Sequence, residues 1–258
     1  MAPPKAFGRN QGRYCGDAVD IDALNESVLA EADRHGWTKE VFHGGKDCEL
    51  SALRRTSGSG RAKIYVSAGI HGDEPAGPAT QLELLRQNVW PTDAEIWLFP
   101  CLNPTGFRLN TRENAEGIDL NRDYRRQLAA ETKAHVQLLE RLPQFDLMIC
   151  LHEDWEAQGF YLYELNPDHR SSPAEEMIRV VSPICPVDLT EIIDGRPAAS
   201  GIIRPELDPA TRDEWPESFY LILNKTRWSY TLEAPSDFDL GVRVAALGAA
   251  VNCLLAKV

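Results

Sequence analysis

The sequence lacks several features that mark other classes of protein. No window reaches the eighteen or so consecutive apolar residues of a membrane-spanning helix. Lysine and arginine number 27 against 39 aspartates and glutamates, and the net charge of -12 argues against a nucleic-acid binder or a cationic lipid-binding surface. The amino-terminal residues MAPPKAFGRN contain no apolar signal-peptide core. These absences favour a cytoplasmic protein with neither nucleic acid nor membrane as a partner.

The cysteines also lack a pattern. None of the six forms a CxxC or paired spacing, and several lie inside apolar runs; they are Cys15, Cys48, Cys101, Cys150, Cys185 and Cys253. Free buried thiols behave as small hydrophobic side chains. We therefore predict no disulfide framework and a reducing compartment.

The chain has enough apolar content for a full core. Its 258 residues are 43% hydrophobic and 26% charged, which is ordinary for one large globular α/β domain. We expect one catalytic domain over residues 1–258. Residues 1–18 are rich in proline and glycine and are predicted to form an amino-terminal arm.

Helical and strand patterns alternate along most of the chain, which predicts an α/β sheet with helices on both faces. A Ser/Gly tract at residues 56–60 predicts a hairpin turn, so the sheet should be mixed. Residues 166–218 predict a helix and irregular loops. The predicted helices are residues 20–35, 75–88, 128–142 and 240–257, and the predicted strands are 49–55, 62–70, 94–101, 145–151, 159–165 and 228–232.

One stretch, IYVSAGIHGDEPAG at residues 64–77, organises the rest. Its apolar run predicts a buried strand that delivers His71 and Glu74 into a loop at its carboxyl end. Ligands of open α/β sheets bind beyond the carboxyl ends of strands. An imidazole and a carboxylate suit Zn²⁺, provided that a third ligand comes from elsewhere.

Two other predicted strands end on reactive residues, His152 and Glu233. A fourth strand leads into a polar loop, residues 108–124, that has three arginines and three asparagines. If these strand ends converge, one crevice collects two histidines, two glutamates and several arginines. Two histidines and one carboxylate form the ligand set of a catalytic zinc. A further carboxylate can transfer protons, and arginine can stabilise an oxyanion or hold a substrate carboxylate.

The ordered motifs resemble a known family. GIHGDEPAG is followed by NPTG, an R-x-N sequence, GIDLNRDY, a strand-end histidine and TLEAP. This order resembles the zinc metallocarboxypeptidase superfamily, which includes carboxypeptidase A and the succinylglutamate desuccinylase/aspartoacylase branch. The resemblance spans roughly residues 60 to 240. It implies a three-layer α/β/α fold around a mixed sheet of about eight strands.

The resemblance also implies roles for individual residues. His71, Glu74 and His152 would bind one Zn²⁺ ion. Glu233 would act as general base and acid, and Arg112 would stabilise the oxyanion. Asn121 and Arg122 would hold the terminal carboxylate of a substrate. Tyr220 is the nearest match to a mobile tyrosine that precedes the base in the digestive carboxypeptidases.

Less specific interpretations stay open for some of these residues and their neighbours. Arg112 and Arg122 could simply pair with nearby acids. Asp73 and Glu153, next to ligand candidates, could orient an imidazole. Arg204 could select an acidic substrate side chain. The remaining histidines are expected on the surface or in packing; they are His35, His43, His135 and His169.

Three functions are compatible with the sequence. The first is a zinc carboxypeptidase that cleaves an amide next to a free carboxylate. The second is a deacylase of the desuccinylase/aspartoacylase type that acts on N-acyl amino acids. The third is a non-catalytic zinc-bound binding module, against which Glu233 argues. The substrate would be a small peptide or an acylated amino acid with a free carboxylate. The sequence leaves the oligomeric state open.

Overall fold

A computed structural model describes residues 4–10, 14, 17–45, 48–56, 62–206, 208 and 212–258. In this part of the chain ten strands form one sheet, in the order β1-β2-β4-β3-β5-β10-β6-β9-β8-β7. The strands are β1 (Thr38–Gly44), β2 (Glu49–Arg55), β3 (Ala62–Ala68), β4 (Ala94–Phe99), β5 (Leu147–Asp154), β6 (Tyr161–Leu165), β7 (Ile192–Ile193), β8 (Arg196–Ala199), β9 (Ile202–Ile203) and β10 (Ser229–Pro235).

Helices cover both faces of the sheet. The apolar side chains of β3 alternate, so that Ile64 and Val66 join one core cluster and Tyr65 joins another. Helices α1, α2, α5 and α7 pack into the first cluster, whereas α4 and α6 pack into the second. The helices are α1 (Ile21–Arg34), α2 (Ala76–Gln87), α3 (Pro104–Leu109), α4 (Ala130–Arg141), α5 (Ala174–Val181), α6 (Glu217–Asn224) and α7 (Leu240–Leu255). This confirms the predicted mixed α/β/α fold, with ten strands where about eight were expected.

The strands that carry the predicted site are parallel neighbours. β3 pairs in parallel with β4 and with β5, and β5 pairs in parallel with β10. Their carboxyl ends therefore meet at one edge of the sheet, as the sequence pattern predicted.

The predicted hairpin between residues 49–55 and 62–70 is wrong. β4 lies between β2 and β3 in the sheet, and β2 pairs antiparallel with β4. The hairpin that makes this end of the sheet mixed joins β1 to β2. A local turn signal does not show which strands become neighbours in the sheet. Here β4 follows β3 and α2 in the sequence, but in the sheet it lies between β2 and β3. The predicted turn itself lies mostly outside the described residues.

Several elements are absent from the sequence prediction. β1 was missed because most of its side chains are exposed and give no apolar alternation. β7, β8 and β9, two to four residues each, extend the sheet within the stretch predicted as helix and loops. The short helix α3 was also missed; it follows β4 closely, and the side chain of Asn103 caps it by accepting from the backbone N–H of Gly106.

The amino-terminal segment lies against the loop that follows β10. The backbone N–H of Phe7 donates to the carbonyl of Asp237 at 2.8 Å, and the N–H of Arg9 donates to the Asp237 carboxylate at 2.9 Å. Parts of the predicted arm, residues 1–3, 11–13 and 15–16, lie outside the described residues.

Candidate metal centre and active site

The loop after β3 carries His71 and is tightly packed. Gly69 has φ +64°, a conformation that glycine adopts at little cost. A Cβ on Gly72 would lie 2.0 Å from the backbone carbon of Gly106, so only glycine allows α3 to approach this closely. The loop then enters α2, which places Glu74 two residues before the helix.

Three side chains meet at this edge of the sheet. His71 Nδ1 lies 2.5 Å from one carboxylate oxygen of Glu74, and His152 Nδ1 lies 2.9 Å from the other. One ligand atom from each residue can be chosen so that all three lie within 4.8 Å of one another, and all three residues are buried. Two imidazoles and a carboxylate fit Zn²⁺ and leave a position for water.

Asp119 supports this arrangement, although the sequence did not single it out. Its Oδ1 lies 3.3 Å from His71 Nε2, the ring nitrogen that faces away from Glu74. Metal-binding histidines commonly direct their other nitrogen to a carboxylate, which fixes the tautomer. Asp119 Oδ2 also accepts from Arg112 Nε at 2.9 Å. The only feature of the sequence that could have identified Asp119 was that it is an acidic residue within the polar loop of residues 108–124.

The electrostatics keep the Glu74 carboxylate charged. Burial alone would raise the pKa of Glu74, but the adjacent His71 and His152 hold it well below its usual range. Burial likewise opposes ionisation of Asp119, and its contact with His71 holds the pKa of that carboxyl well below its usual range. Two charged carboxylates around two imidazoles favour a cation at this centre.

Arg112 is adjacent to the same centre. Its Nη1 lies 3.3 Å from His71 Nδ1 and 3.7 Å from Glu74 Oε1. The sequence left two interpretations of Arg112 open, an ion pair with a nearby acid and a role at the site. Arg112 does pair with the acid Asp119, and it also lies beside the ligand candidates.

Glu233 lies on β10 directly opposite His152 on β5 and opposite Tyr161 on β6. Its side chain is largely buried but lines the same cavity as the three ligand candidates. Burial raises the pKa of Glu233 well above its usual range, and the negative charge of Glu74 raises it further. A carboxyl group at this position can accept or donate a proton beside the three ligand candidates.

Asn121 and Arg122 form part of a wall of this cavity, which has a volume of about 1300 Å³. The side-chain oxygen of Asn121 accepts from the backbone N–H of Glu217 at 2.8 Å, so its amide NH₂ is the end available for other partners. Arg122 donates from Nη1 to the carbonyl of Asn121 at 2.9 Å and is otherwise exposed.

Tyr220 and Arg204 lie elsewhere. Tyr220 is buried in the core against Tyr124, with ring centroids 5.8 Å apart, and does not line the cavity formed by the described residues. Arg204 forms ion pairs with Glu164 and Glu175 at 2.7 and 2.9 Å, and it too is outside the cavity lining. Sequence proximity to Glu233 suggested Tyr220, but α6 directs this tyrosine into the core beneath the sheet.

Glu153 and Asp73 do not orient an imidazole through a hydrogen bond in the described residues. Glu153 instead accepts from the backbone N–H of Ala76 at 2.5 Å and forms a fully buried ion pair with Arg243. The backbone N–H of Glu153 donates to Glu74 at 3.1 Å. Glu153 therefore connects the start of α2, the carboxylate of Glu74 and α7.

Known proteins resemble this chain in sequence and in fold. The family profile of the succinylglutamate desuccinylase/aspartoacylase catalytic domain matches residues 61–188. Murein peptide amidase A of Escherichia coli K12 is 36% identical over 64 residues, which cover 25% of this chain and 26% of the amidase. The match therefore spans about a quarter of that relative.

Solved structures match over most of the chain. A candidate metallopeptidase from Shewanella baltica superposes with a TM-score of 0.80 at 25% identity, covering 92% of both chains. A metallo-carboxypeptidase from Burkholderia cenocepacia has a TM-score of 0.69 at 16% identity, covering 93% of this chain and 69% of that one, and shows the shared fold.

These comparisons support the assignment of the chain to the zinc carboxypeptidase-like superfamily. This agrees with the resemblance that the ordered motifs predicted. No helix within the described ranges is both long and apolar enough to cross a membrane.

Proposed function

We propose that this member of the zinc carboxypeptidase-like superfamily is a zinc-dependent carboxypeptidase that hydrolyses an amide bond next to a free carboxylate. One observation carries the proposal. His71, Glu74 and His152 meet at one point, and Glu233 is the residue directly opposite His152 in the parallel β5–β10 pair. A binding module would not need a further buried carboxyl group at this position.

The three ligand candidates would hold one Zn²⁺ ion, which when bound lowers the pKa of water to about 7 and polarises a carbonyl. Glu233 accepts the proton of the attacking water and passes it to the leaving amine. Burial and the nearby charge of Glu74 raise the pKa of Glu233, which makes its carboxylate a stronger base toward that proton. Arg112, which borders the same centre, stabilises the oxyanion that develops on the substrate.

The free carboxylate of the substrate is bound by Asn121 and Arg122. The amide NH₂ of Asn121 and the guanidinium of Arg122 supply donors on the same cavity wall, and a guanidinium can bind a carboxylate with two hydrogen bonds. This contact explains why a free carboxylate would be required beside the scissile amide.

A second candidate is favoured by the family profile. Its match to the succinylglutamate desuccinylase/aspartoacylase domain supports a deacylase that removes an acyl group from an amino acid with the same residues. The large cavity favours the peptidase, because a single acylated amino acid fills little of about 1300 Å³. Peptides with a free carboxyl terminus and N-acyl amino acids, assayed side by side with zinc-loaded protein, distinguish the two.

The test of the mechanism is Glu233→Gln. This variant keeps the shape of the side chain but cannot accept a proton, so kcat should fall by about 10²- to 10⁴-fold while bound zinc stays the same. Glu156→Gln, an exposed carboxylate on the same cavity, is the matched control and should retain activity. Full activity of Glu233→Gln, or no hydrolysis of either substrate class by folded, zinc-loaded protein, would refute the proposal.

A further inference from the structure

A buried carboxyl group lies next to the site and has no cation as a partner. Glu217, the first residue of α6, is 1% exposed and forms no salt bridge with any residue in the described ranges. It accepts instead from the hydroxyl of Tyr65, from Ser67 Oγ at 3.0 Å and from Cys150 Sγ at 3.2 Å. Burial raises the pKa of Glu217, and these three hydrogen bonds oppose the shift. The donors belong to β3 and β5, so the start of α6 is fixed to the strand before the His71 loop and to the strand that carries His152.

The amino end of α6 has no side-chain cap from its own segment. The residue before the helix is Pro216, which accepts no hydrogen bond from it. The first N–H groups of a helix need an acceptor from elsewhere. The backbone N–H of Glu217 donates to the side-chain oxygen of Asn121 at 2.8 Å, although the two residues are 96 positions apart in the sequence. Asn121 therefore caps α6 from the loop of residues 108–124.

This hydrogen bond also determines which end of the Asn121 amide faces the cavity. The amide oxygen accepts hydrogen bonds and the amide nitrogen donates them. Because the N–H of Glu217 engages the oxygen, the NH₂ group is the end left for the cavity that Asn121 lines. With the amide reversed, its oxygen would face a substrate carboxylate and repel it. The N–H of Glu217 therefore makes Asn121 a donor toward an anion.

The loop that carries Asn121 is joined to Glu217 by a second route. The hydroxyl of Tyr124 lies 2.6 Å from Nδ1 of His135, and Nε2 of His135 lies 3.1 Å from the hydroxyl of Tyr65. Tyr65 in turn donates to Glu217. Both sides of the Asn121–Glu217 hydrogen bond thus belong to one buried set of hydrogen bonds. Such a network holds its members in one arrangement when every group is satisfied.

We propose that Glu217 is a positioning residue for the free carboxylate of the substrate. Its buried carboxyl group fixes the start of α6, and its backbone N–H holds the Asn121 amide with the NH₂ group toward the substrate. The inference rests on the proposed function, because Asn121 is taken to bind that carboxylate. Glu217 does not itself line the cavity formed by the described residues, so its effect passes through Asn121.

The first experiment compares N-acetyl-Ala-Ala with N-acetyl-Ala-Ala amide, which lacks the free carboxylate. Glu217→Gln keeps the size of the side chain but replaces one acceptor by a donor, which opposes the hydroxyl groups of Tyr65 and Ser67. The KM for the acid should rise about 10-fold, the effect of one hydrogen bond to a charged group. Its kcat should change by less than about 3-fold, because the lost contact is made equally before and during reaction. The preference for the acid over the amide in kcat/KM should fall by about 10-fold.

A double-mutant cycle tests whether the effect passes through Asn121. Asn121→Ala alone should raise the KM for the acid, and Glu217→Gln added to it should raise the KM no further. Additive effects of the two substitutions would overturn the proposal. An unchanged preference in Glu217→Gln would also overturn it while the proposed function stands.

The matched control is Glu164→Gln. Glu164 is a buried glutamate on β6 that accepts from the hydroxyl of Tyr230 at 2.8 Å and from Arg204 at 2.7 Å, and it lies outside the cavity lining. This variant should keep the wild-type preference for the acid. An equal loss of preference in both glutamine variants would indicate general destabilisation and would refute a positioning role.

Hydrogen exchange of the backbone amide of residue 217, followed by NMR on zinc-loaded protein, tests the positioning without a substrate. Exchange should be at least about 10-fold faster in Glu217→Gln than in wild type and unchanged in Glu164→Gln. Tyr65→Phe, which removes one donor to Glu217, should show the same direction of change and serves if Glu217→Gln does not fold. Equal exchange in all these proteins would refute the inference. Failure of wild type to hydrolyse either substrate would instead refute the proposed function, and the exchange rates would still test the hold on Asn121.

Discussion

Replacement of Arg243 by methionine should destabilise the protein strongly. Arg243 is fully buried on α7, and it forms ion pairs with Glu153 and with Asp17, the latter at 2.6 Å. Methionine fills a similar volume but leaves the Glu153 carboxylate buried without its cation. Glu153 binds Ala76 and contacts Glu74 through its backbone, so the perturbation reaches the metal centre.

The magnitude follows from the burial of the pair. Removal of one partner of a buried ion pair costs about 3–5 kcal/mol, whereas exposed pairs contribute about 0–1 kcal/mol. The pKa of Glu153 is already raised to about 7 by burial, even though Arg243 opposes this shift. A carboxyl group with a raised pKa stabilises the fold below its unfolded-state pKa and loses this contribution as pH rises through its folded-state value. Without Arg243 the pKa of Glu153 should rise further, so the loss of stability should be larger at pH 8 than at pH 6.

The assay is urea unfolding of the metal-free protein at both pH values, with zinc affinity measured by competition with a chelator. Glu153→Gln combined with Arg243→Met removes both charges and should recover part of the stability. Arg141→Met breaks the exposed pair with Glu40 and should cost less than about 1 kcal/mol. If Arg243→Met costs no more than Arg141→Met at either pH, the reasoning about the buried pair is refuted.

Two further predictions concern the fold around the site. Burial lowers the pKa of His135 to about 3, so its contribution to stability is full above its unfolded value of 6.5 and is lost as pH falls toward 3. When the pH falls from 7 to 5, the unfolding free energy of wild type should therefore decrease by about 2 kcal/mol more than that of His135→Gln. Equal decreases of the two proteins in urea titrations would contradict this. Gly72→Ala should lower the melting temperature and the zinc affinity, because its Cβ would overlap the backbone of Gly106, at a cost of about 1–3 kcal/mol. The control is Gly248→Ala in α7, where no atom lies within 4 Å of the added Cβ, and this variant should be neutral or stabilising. If the two variants behaved alike, the steric explanation for Gly72 would be excluded.

The sequence pattern located the central strands, although β5 and β10 each run three residues beyond their predicted carboxyl ends. β3, β4, β5 and β10 are apolar runs within which buried side chains dominate, and such runs report burial directly. Because these strands are parallel neighbours, residues at their carboxyl ends meet at one edge. This is why His71, His152 and Glu233 could be assembled before any tertiary structure was known.

The edges of the sheet were not predictable in the same way. β1 is an exposed edge strand without apolar alternation, and β7 to β9 are too short to show a period. Their pairing depends on which strands are already in place, which is a property of the whole sheet. The incorrect hairpin at residues 49–70 has the same cause, since β4 enters between two strands that are adjacent in sequence.

The sequence by itself determined the class of fold and the residue types at the candidate metal centre, because residue types and strand-end positions are local properties of the chain. Only the tertiary structure decided which charged groups become partners. Asp119 lies next to His71, and Glu153 forms an ion pair with Arg243 from the last helix. Charge pairing depends on distances in space, and residues far apart in sequence acquire those distances only when the sheet is assembled.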